Sequence, residues 1–263
     1  MFKGVLKKMQ TINSSPIRYF LSLENNFIEI NQCIGRRLKI DKTGEQCLNC
    51  NTNQSIFRQG FCKKCFFESP LIGDWIIRPE LSTAHLNIED RDLEFEKKMQ
   101  LQPHIVYLSL SSHVKVGVTK KEQLITRWID QGAQSATSIL EVPNRFLAGK
   151  AEVELKKVFS DKTNWRKMLQ NDFEPIDWGL SINKAIDNLS SDLKSFVLSD
   201  SNITQLDFPI KNHPKKVSSL NLSKTISYEG LLIGIKGQYL IFDDDTVFNI
   251  RGNEGTEVLI TIN

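Results

Sequence analysis

The sequence predicts an α+β protein, and three observations support that fold class. Residues 104–171 alternate strand-like and helix-like segments in the order β-β-α-β-α, both ends of the chain are rich in strand-like segments, and two Cys-x2-Cys pairs lie between them. The chain has 263 residues, of which 40% are hydrophobic and 25% charged. These values allow a sizeable buried core in two compact domains, or in one large domain with an appendage.

The charge balance limits the classes of protein that need considering. Thirty-four Lys and Arg against 31 Asp and Glu give a formal net charge of +3, which excludes a histone-like polycation and an acidic tail. Binding to nucleic acid must therefore depend on local basic patches. No apolar run approaches the ~20 residues that a transmembrane helix needs. Lysines also occupy the place of the apolar stretch in a secretory signal. We expect no membrane partner and a cytoplasmic location.

Four of the five cysteines form two closely spaced pairs, Cys47-x2-Cys50 and Cys62-x2-Cys65. A Cys-x2-Cys turn presents two sulfurs to one metal ion, and two such turns complete the tetrahedron that Zn2+ prefers. Because four sulfurs leave no open coordination position, the predicted zinc is structural. Two disulfides or four unrelated buried thiols are the alternatives, and disulfides are disfavoured in a reducing compartment. Cys33 is predicted to be a small core residue.

The pattern divides the chain into six segments. In order they are a β-rich N-terminal segment (1–46), the four-cysteine zinc segment (47–79), a connecting helix (80–103), a small α/β domain (104–171), a helix and loop linker (172–225) and a β-rich C-terminal segment (226–263). A turn is predicted at Glu24-Asn25-Asn26. The sequences at 2–6 and 228–232 share an aromatic-x-Gly-apolar-Leu pattern, so both chain ends are expected in one sheet or barrel.

The α/β domain has the clearest local signals. The pattern predicts a hairpin with strands at 104–110 and 114–118, followed by a helix that Thr119 and Glu122 begin as a capping box. Another strand spans 136–142, and a second helix follows Pro143-Asn144. Apolar residues at helical spacing predict an amphipathic helix at 181–198.

The same domain resembles the GIY-YIG nuclease superfamily, in the branch whose second signature reads Lys-Ile/Val-Gly-x-Thr. The residues that carry the resemblance are Ile105-Val106-Tyr107, Lys115-Val116-Gly117-Val118-Thr119, Arg127 and Glu152, within about residues 104–166. It implies a small sheet flanked by helices. Together with the cysteine pairs, the segments 127–133 and 161–166 also resemble an uncharacterised bacterial family of zinc-bearing proteins, over nearly the whole chain.

The resemblance implies roles for three residues in a metal-dependent phosphodiesterase. Glu152 would hold Mg2+ or Mn2+, which polarises a phosphate and lowers the pKa of water. Arg127 would neutralise charge in the transition state. Tyr107 would orient the water, or act as a base if its pKa is lowered. Gly117 would allow a tight turn or the approach of a phosphate.

Two signature positions depart from the superfamily, because Ile105 replaces the first glycine and Lys115 replaces a tyrosine. Lysine removes a phenol but adds a phosphate-binding ammonium, a role also assigned to Lys120 and Lys121. Three structural alternatives stay open. Tyr107 is a half-buried strand aromatic, Arg127 and Glu152 form an interhelical ion pair, or Glu154 takes the place of Glu152.

Three functions fit these observations. The first is a zinc-containing, nucleic-acid-binding phosphodiesterase that acts like an endonuclease on DNA or RNA. The second is a non-catalytic module that binds RNA or a ribonucleoprotein through the same pocket. The third is a scaffold within a protein complex.

Overall fold

The computed structural model describes residues 1–23 and 26–263. These residues form two compact units. Unit 1 comprises Met1–Glu68, Leu169–Asn171 and Leu206–Asn263, and unit 2 comprises Ser69–Met168 and Asp172–Gln205. Among the described residues, no helix combines the length and apolar character needed to cross a membrane.

Unit 1 is mainly β-structure. Its strands are β1 (Phe2–Val5), β2 (Gln10–Ile12), β3 (Arg18–Leu23), β4 (Asn26–Glu29), β5 (Arg37–Glu45), β10 (Ser218–Ser219), β11 (Ser227–Lys236), β12 (Tyr239–Phe242), β13 (Thr246–Asn249) and β14 (Thr256–Ile262). One short helix, α1 (Lys63–Glu68), and 3-10 turns at Ile30–Cys33 and Arg251–Asn253 complete it. Of the turn predicted at Glu24-Asn25-Asn26, the first two residues lie outside the described residues.

The two chain ends share one sheet, as their matching sequence patterns predict. Seven strands lie in the order β1-β14-β5-β11-β12-β13-β10. Phe2 pairs with Ile260 between β1 and β14, and Tyr228 pairs with Ile40 between β11 and β5. The smaller sheet has the order β2-β3-β4. Cys33 is 4% exposed, which confirms its prediction as a core residue.

Unit 2 is built around a four-stranded sheet with the order β7-β6-β8-β9. Its elements are α2 (Asp74–Ile77), α3 (Leu93–Gln100), β6 (His104–Leu110), β7 (Val114–Lys120), α4 (Leu124–Asp130), β8 (Ser135–Val142), α5 (Arg145–Leu155), α7 (Trp178–Asp187), α8 (Ser191–Lys194) and β9 (Thr204–Gln205). Helix α6 spans Trp165–Gln170, and 3-10 turns lie at Pro70–Ile72, Pro79–Leu81, Ala84–Leu86 and Lys121–Gln123. The mixed α+β class and the predicted β-β-α-β-α order are both confirmed.

Strand β6 lies between β7 and β8 and is buried along its whole length. Because side chains alternate across a strand, Val106 and Leu108 enter the apolar cluster of the unit together with Ala151 and Leu155 of α5. Tyr107 projects to the opposite face of the sheet. This alternation places Val106 and Leu108 in the apolar core and Tyr107 on the other face of the sheet.

The capping box predicted at Thr119 and Glu122 is wrong. Thr119 pairs with Ile105 in the β6–β7 ladder, which extends β7 to Lys120. A 3-10 turn follows, and α4 begins only at Leu124 without a side-chain cap. Pairing with β6 therefore keeps Thr119 in the strand, so it cannot begin the helix as the predicted cap required.

The single helix predicted at 181–198 is divided into α7 and α8. Ser190 is extended between them, and its backbone N–H and hydroxyl each donate to Glu154 at 2.8 Å. Those two bonds hold Ser190 outside helical geometry. The predicted linker 172–225 is also divided, since residues up to Gln205 belong to unit 2 and those from Leu206 to unit 1. Within the predicted connecting segment 80–103, α3 is the α-helix.

Candidate functional site

Four cysteines of unit 1 converge as the sequence predicts. The Sγ atoms of Cys47, Cys50, Cys62 and Cys65 all lie within 4.8 Å of one another. A tetrahedral zinc with Zn–S bonds of about 2.3 Å requires sulfurs about 3.8 Å apart. The cluster can therefore hold a metal ion such as zinc, and its four thiol ligands match the set of a closed structural site. All five cysteines are free thiols, so the disulfide alternative is wrong.

Short-range hydrogen bonds prepare these sulfurs to carry negative charge. The backbone N–H of Cys62 donates to Cys47 Sγ at 3.3 Å, and Asn49 Nδ2 donates to Cys65 Sγ at 3.4 Å. Burial opposes ionisation of Cys47, but backbone N–H groups of Cys50, Cys62 and Asn49 lower its pKa to about 6. Asn49 favours the Cys65 thiolate, yet burial and the three neighbouring cysteines raise the pKa of Cys65 to about 12. Four converging thiols, two of which accept hydrogen bonds on sulfur, are a donor set that a divalent cation would stabilise as thiolates.

The second candidate site lies in unit 2 and is centred on Tyr107. Its side chain is fully buried, and its hydroxyl donates to Gln131 Oε1 at 3.0 Å. The ring also makes an edge contact with Trp128 of α4, with ring centroids 6.0 Å apart. Tyr107 is therefore more deeply enclosed than the half-buried strand aromatic considered from the sequence.

Gly117 faces Tyr107 across the β6–β7 ladder. A Cβ at Gly117 would lie 2.5 Å from the Tyr107 hydroxyl oxygen and 2.6 Å from Cζ. The close approach that requires glycine is thus made by the phenol, in place of the tight turn or approaching phosphate predicted for Gly117. The backbone of β7 acts as a support for the ring.

Lys115 lies on the same face of β7, two residues before Gly117, and its side chain is 6% exposed. No hydrogen-bond or ion-pair partner of its ammonium occurs among residues 1–23 and 26–263. Burial lowers its pKa to about 8, and Arg127 acts in the same direction, while Glu152 and Asp161 oppose the shift. Lys115 is therefore a buried cation near another cation and two carboxylates.

Arg127 and Glu152 come from different helices, α4 and α5, and both act electrostatically on Tyr107. The Nε of Arg127 and Oε2 of Glu152 are buried without a hydrogen-bond partner in the described part of the chain. Glu152 has its ion pair with Lys156, whose Nζ is 3.3 Å from Oε2. The expected alternative of an Arg127–Glu152 ion pair is not what the described residues show.

Burial determines the protonation behaviour of the central groups. It raises the pKa of Tyr107, although Arg127 and Gln131 act in the opposite direction. The phenol is therefore a hydrogen-bond donor at neutral pH, and the lowered pKa on which its role as a base depended is not present. Burial also raises the pKa of Glu152, against the effect of Lys156.

Two further charged residues of this cluster escape sequence reasoning. Arg145 begins α5 and acts electrostatically on Glu152, while its guanidinium donates to the carbonyls of Trp75 and Ile76 at 3.0 and 2.7 Å. Glu80 contributes a carboxylate near both Arg145 and Glu152. Burial lowers the pKa of Arg145 to about 10.

Gly149 explains how Glu80 reaches the cluster. A Cβ at Gly149 would lie 2.1 Å from the backbone nitrogen of Glu80, so the 3-10 turn at Pro79–Leu81 packs directly on α5. A glycine in the middle of a helical pattern is the sequence signal for such a close approach. It does not identify the segment that packs there.

Three other charged residues lie outside this arrangement. Lys120 is opposite His104, on the other face of the sheet from Lys115, and its Nζ is 3.1 Å from Glu122. Lys121 is paired with Glu141 at 2.8 Å. Glu154 accepts the two hydrogen bonds from Ser190, whereas Glu152 is paired with Lys156.

The chain was also compared with known proteins. Neither the curated proteins nor the solved structures include a match. The model of one protein family matches residues 35–258, which include the four cysteines and all the charged residues around Tyr107. The chain therefore belongs to the family described as Protein of unknown function (DUF2797).

Proposed function

We propose that this protein binds nucleic acid, DNA or RNA, by holding a backbone phosphate in the unit 2 cluster around Tyr107. The observation that carries the proposal is a pair of cations: the buried Lys115 ammonium, which has no hydrogen-bond or ion-pair partner among the described residues, and Arg127, whose buried Nε has no hydrogen-bond partner there. Buried polar groups are normally hydrogen-bonded, because an unpaired one loses its hydration without compensation. A phosphate would supply acceptors to both cations.

The charge of the cluster supports an anionic ligand. Four cationic side chains, Lys115, Arg127, Arg145 and Lys156, are near three carboxylates, Glu80, Glu152 and Asp161. The formal sum is +1, which a phosphodiester monoanion neutralises. A local basic site of this kind satisfies the requirement set by the small net charge of the chain.

Cleavage of the bound phosphodiester is the second function that we propose, and the buried carboxylate of Glu152 favours it, because among the described residues Lys156 is its one ion-pair partner. A Mg2+ or Mn2+ ion held there would polarise the phosphate and lower the pKa of a water molecule. Arg127 and Lys115 would bind the developing negative charge, and the Tyr107 hydroxyl oxygen, whose proton is donated to Gln131, would orient a water molecule by accepting a hydrogen bond from it. The resemblance to the GIY-YIG superfamily supports the same assignment. In the same proposal, zinc at the four cysteines is structural and the compartment is the reducing cytoplasm.

Binding is tested with labelled single- and double-stranded RNA and DNA over a range of salt concentrations. We expect Lys115→Met and Arg127→Gln to weaken binding by about tenfold each and to reduce the salt slope by about one. Lys157→Met is the matched control, because Lys157 is an exposed cation just beyond α5. Equal losses in all three variants, or no loss in the first two, would contradict the proposal.

Cleavage is tested with the same oligonucleotides in Mg2+ or Mn2+. Glu152→Gln should abolish the metal-dependent products while retaining binding. Glu154→Gln is the control two residues along the same helix, and it should retain cleavage even if the lost Ser190 contacts reduce stability. A wild-type protein that binds but never cuts would leave phosphate binding as the function and refute the second proposal.

A further inference from the structure

Three phenylalanines beside the four-cysteine cluster form an exposed aromatic surface, which we name the phenylalanine triad: Phe57, Phe66 and Phe67. Ring centroids lie 5.3 Å apart for Phe57 and Phe66, 5.8 Å for Phe57 and Phe67, and 5.4 Å for Phe66 and Phe67. Phe57 is 42% exposed and Phe67 is 58% exposed. Large apolar side chains that contact one another while facing solvent often mark a binding surface.

The backbone holds the triad in place. Phe57 N–H donates to the Phe61 carbonyl at 2.8 Å, and Phe61 N–H donates to the Arg58 carbonyl at 2.9 Å. Gln59 and Gly60 both have positive φ, 52° and 79°, which closes a tight hairpin turn. Phe66 and Phe67 belong to α1, the helix that also carries Cys65. The rings are therefore fixed by the same short segment that carries Cys62 and Cys65 of the four-cysteine cluster.

Exposed cations surround the triad. Arg58, Lys63 and Lys64 are all exposed, and the Arg58 guanidinium carbon is 5.3 Å from the Phe57 ring centroid. None of these three cations has a carboxylate partner within the described residues. A bound zinc with four thiolates would add a charge of −2. Cys47, Cys62 and Cys65 are buried and Cys50 is exposed, and the three cations still outnumber that charge.

We propose that the phenylalanine triad and its three cations bind single-stranded nucleic acid, with unpaired bases stacked on Phe57 and Phe67 and phosphates near Arg58, Lys63 and Lys64. Unpaired bases have apolar faces and a charged backbone at a regular distance, and this combination matches exposed rings bordered by cations. The inference rests on the proposed function only in naming nucleic acid as the ligand. The triad itself is separate in sequence and in fold unit from the cluster around Tyr107.

A second pair of phenylalanines in unit 1 provides the control. Phe20 and Phe27 are stacked with centroids 5.0 Å apart, Phe27 is 59% exposed, and the Arg18 guanidinium carbon is 5.2 Å from the Phe20 ring. Arg18, however, donates to both carboxylate oxygens of Glu29, at 2.6 and 3.0 Å. The same residue types are present there, but the cation is already neutralised, so we expect no binding of nucleic acid.

The test uses the zinc-loaded 263-residue chain and two oligonucleotides of equal length. One oligonucleotide carries uracil bases and the other is abasic along its whole length. Phe57→Ala and Phe67→Ala should each weaken binding of the uracil strand by about tenfold and change binding of the abasic strand little. Phe67→Trp, which keeps an aromatic ring at this position, should bind the uracil strand as the unmodified protein does. Phe27→Ala should leave both affinities unchanged. Zinc content and thermal unfolding of each variant show whether the fold is intact.

Several outcomes would overturn the inference. One is a loss of affinity in Phe57→Ala that is equal for the uracil and abasic strands. Another is a loss of affinity in Phe27→Ala as large as that in Phe57→Ala. The third is unchanged affinity in both Phe57→Ala and Phe67→Ala. Intact binding in the triad variants together with a loss in Lys115→Met would overturn the triad and leave the proposed phosphate site standing. A loss in the triad variants with full binding in Lys115→Met would support the triad and refute that site.

Discussion

Gly117 and Tyr107 are cross-strand neighbours, and the glycine leaves the space that the phenol ring occupies. Any side chain at position 117 would displace the ring and with it the hydrogen bond from the hydroxyl to Gln131. A residue without a functional group thus determines where the central phenol of the unit 2 site lies.

Replacing that glycine should disturb both stability and the site. We expect Gly117→Ala to reduce the free energy of unfolding by about 1–3 kcal/mol through overpacking and to weaken nucleic-acid binding. Gly179→Ala is the control, because Gly179 is exposed in α7 and a Cβ there meets only Asp177 Oδ1, at 3.3 Å. Chemical denaturation of both variants measures the difference, and equal stabilities would refute the role of Gly117.

Because of Lys115, we expect both the free energy of unfolding and the binding of phosphate to change with pH above about 8. Its pKa is about 8 in the folded protein, below the ordinary 10.5, because burial disfavours the charged form. Below pH 8 the folded state carries the full penalty of a buried ammonium. Between pH 8 and 10.5 only the unfolded state stays protonated, so stability should rise with a slope of up to about 1.4 kcal/mol per pH unit.

The comparison with Lys115→Met isolates this effect, since Lys236 also has a pKa lowered by burial to about 8 and is present in both proteins. The difference between the two unfolding curves should shrink as the pH rises from 8. Phosphate binding should change in the opposite direction, falling above about pH 8 as the ammonium loses its proton. A pH-independent difference in stability would argue against a buried charge at Lys115.

The four-cysteine cluster should bind about one zinc per chain. Cobalt substitution should give the intense visible bands of tetrahedral thiolate coordination, and removal of the metal with a chelator should unfold the segment around residues 47–65. Cys50→Ser should weaken metal binding, whereas Cys33→Ser should leave the metal content unchanged, because Cys33 is outside the cluster. A metal content far below one in the freshly purified protein would refute a zinc site.

Arg145 should stabilise the segment that carries Glu80. Its guanidinium donates to two carbonyls of α2 and lies over the Trp75 ring, 5.6 Å from the centroid. We expect Arg145→Ala to reduce the free energy of unfolding by about 2–3 kcal/mol, and Arg145→Lys to recover part of that loss. Hydrogen exchange at residues 74–81 should increase in Arg145→Ala, and unchanged exchange there would contradict this account.

Features formed by residues close together in the chain could be predicted from the sequence. The four-cysteine cluster could be predicted because each cysteine pair spans four residues and the two pairs lie close together in the chain. The hairpin could be predicted because alternation and a short turn specify the pairing of β6 with β7, which puts Gly117 opposite Tyr107.

What escaped prediction depends on contacts between distant segments. The packing of Glu80 against Gly149 and the bonds from Arg145 to residues 75 and 76 join parts of the chain about 70 residues apart. No local pattern indicates such a partner. The failed capping box at Thr119 has a similar origin, because a ladder bond to Ile105 outweighed a local preference.

The order of the segments also determines how this protein can be divided. Unit 2 interrupts unit 1, since the strand β5 before the interruption is paired with β11 and β14 from beyond it. A fragment that ends after the cysteines would leave β5 without either neighbour and expose two sheet edges. In such a fragment, misfolding could be mistaken for loss of a function of the four-cysteine cluster. A piece spanning residues 69–205, in contrast, keeps every strand of its own sheet.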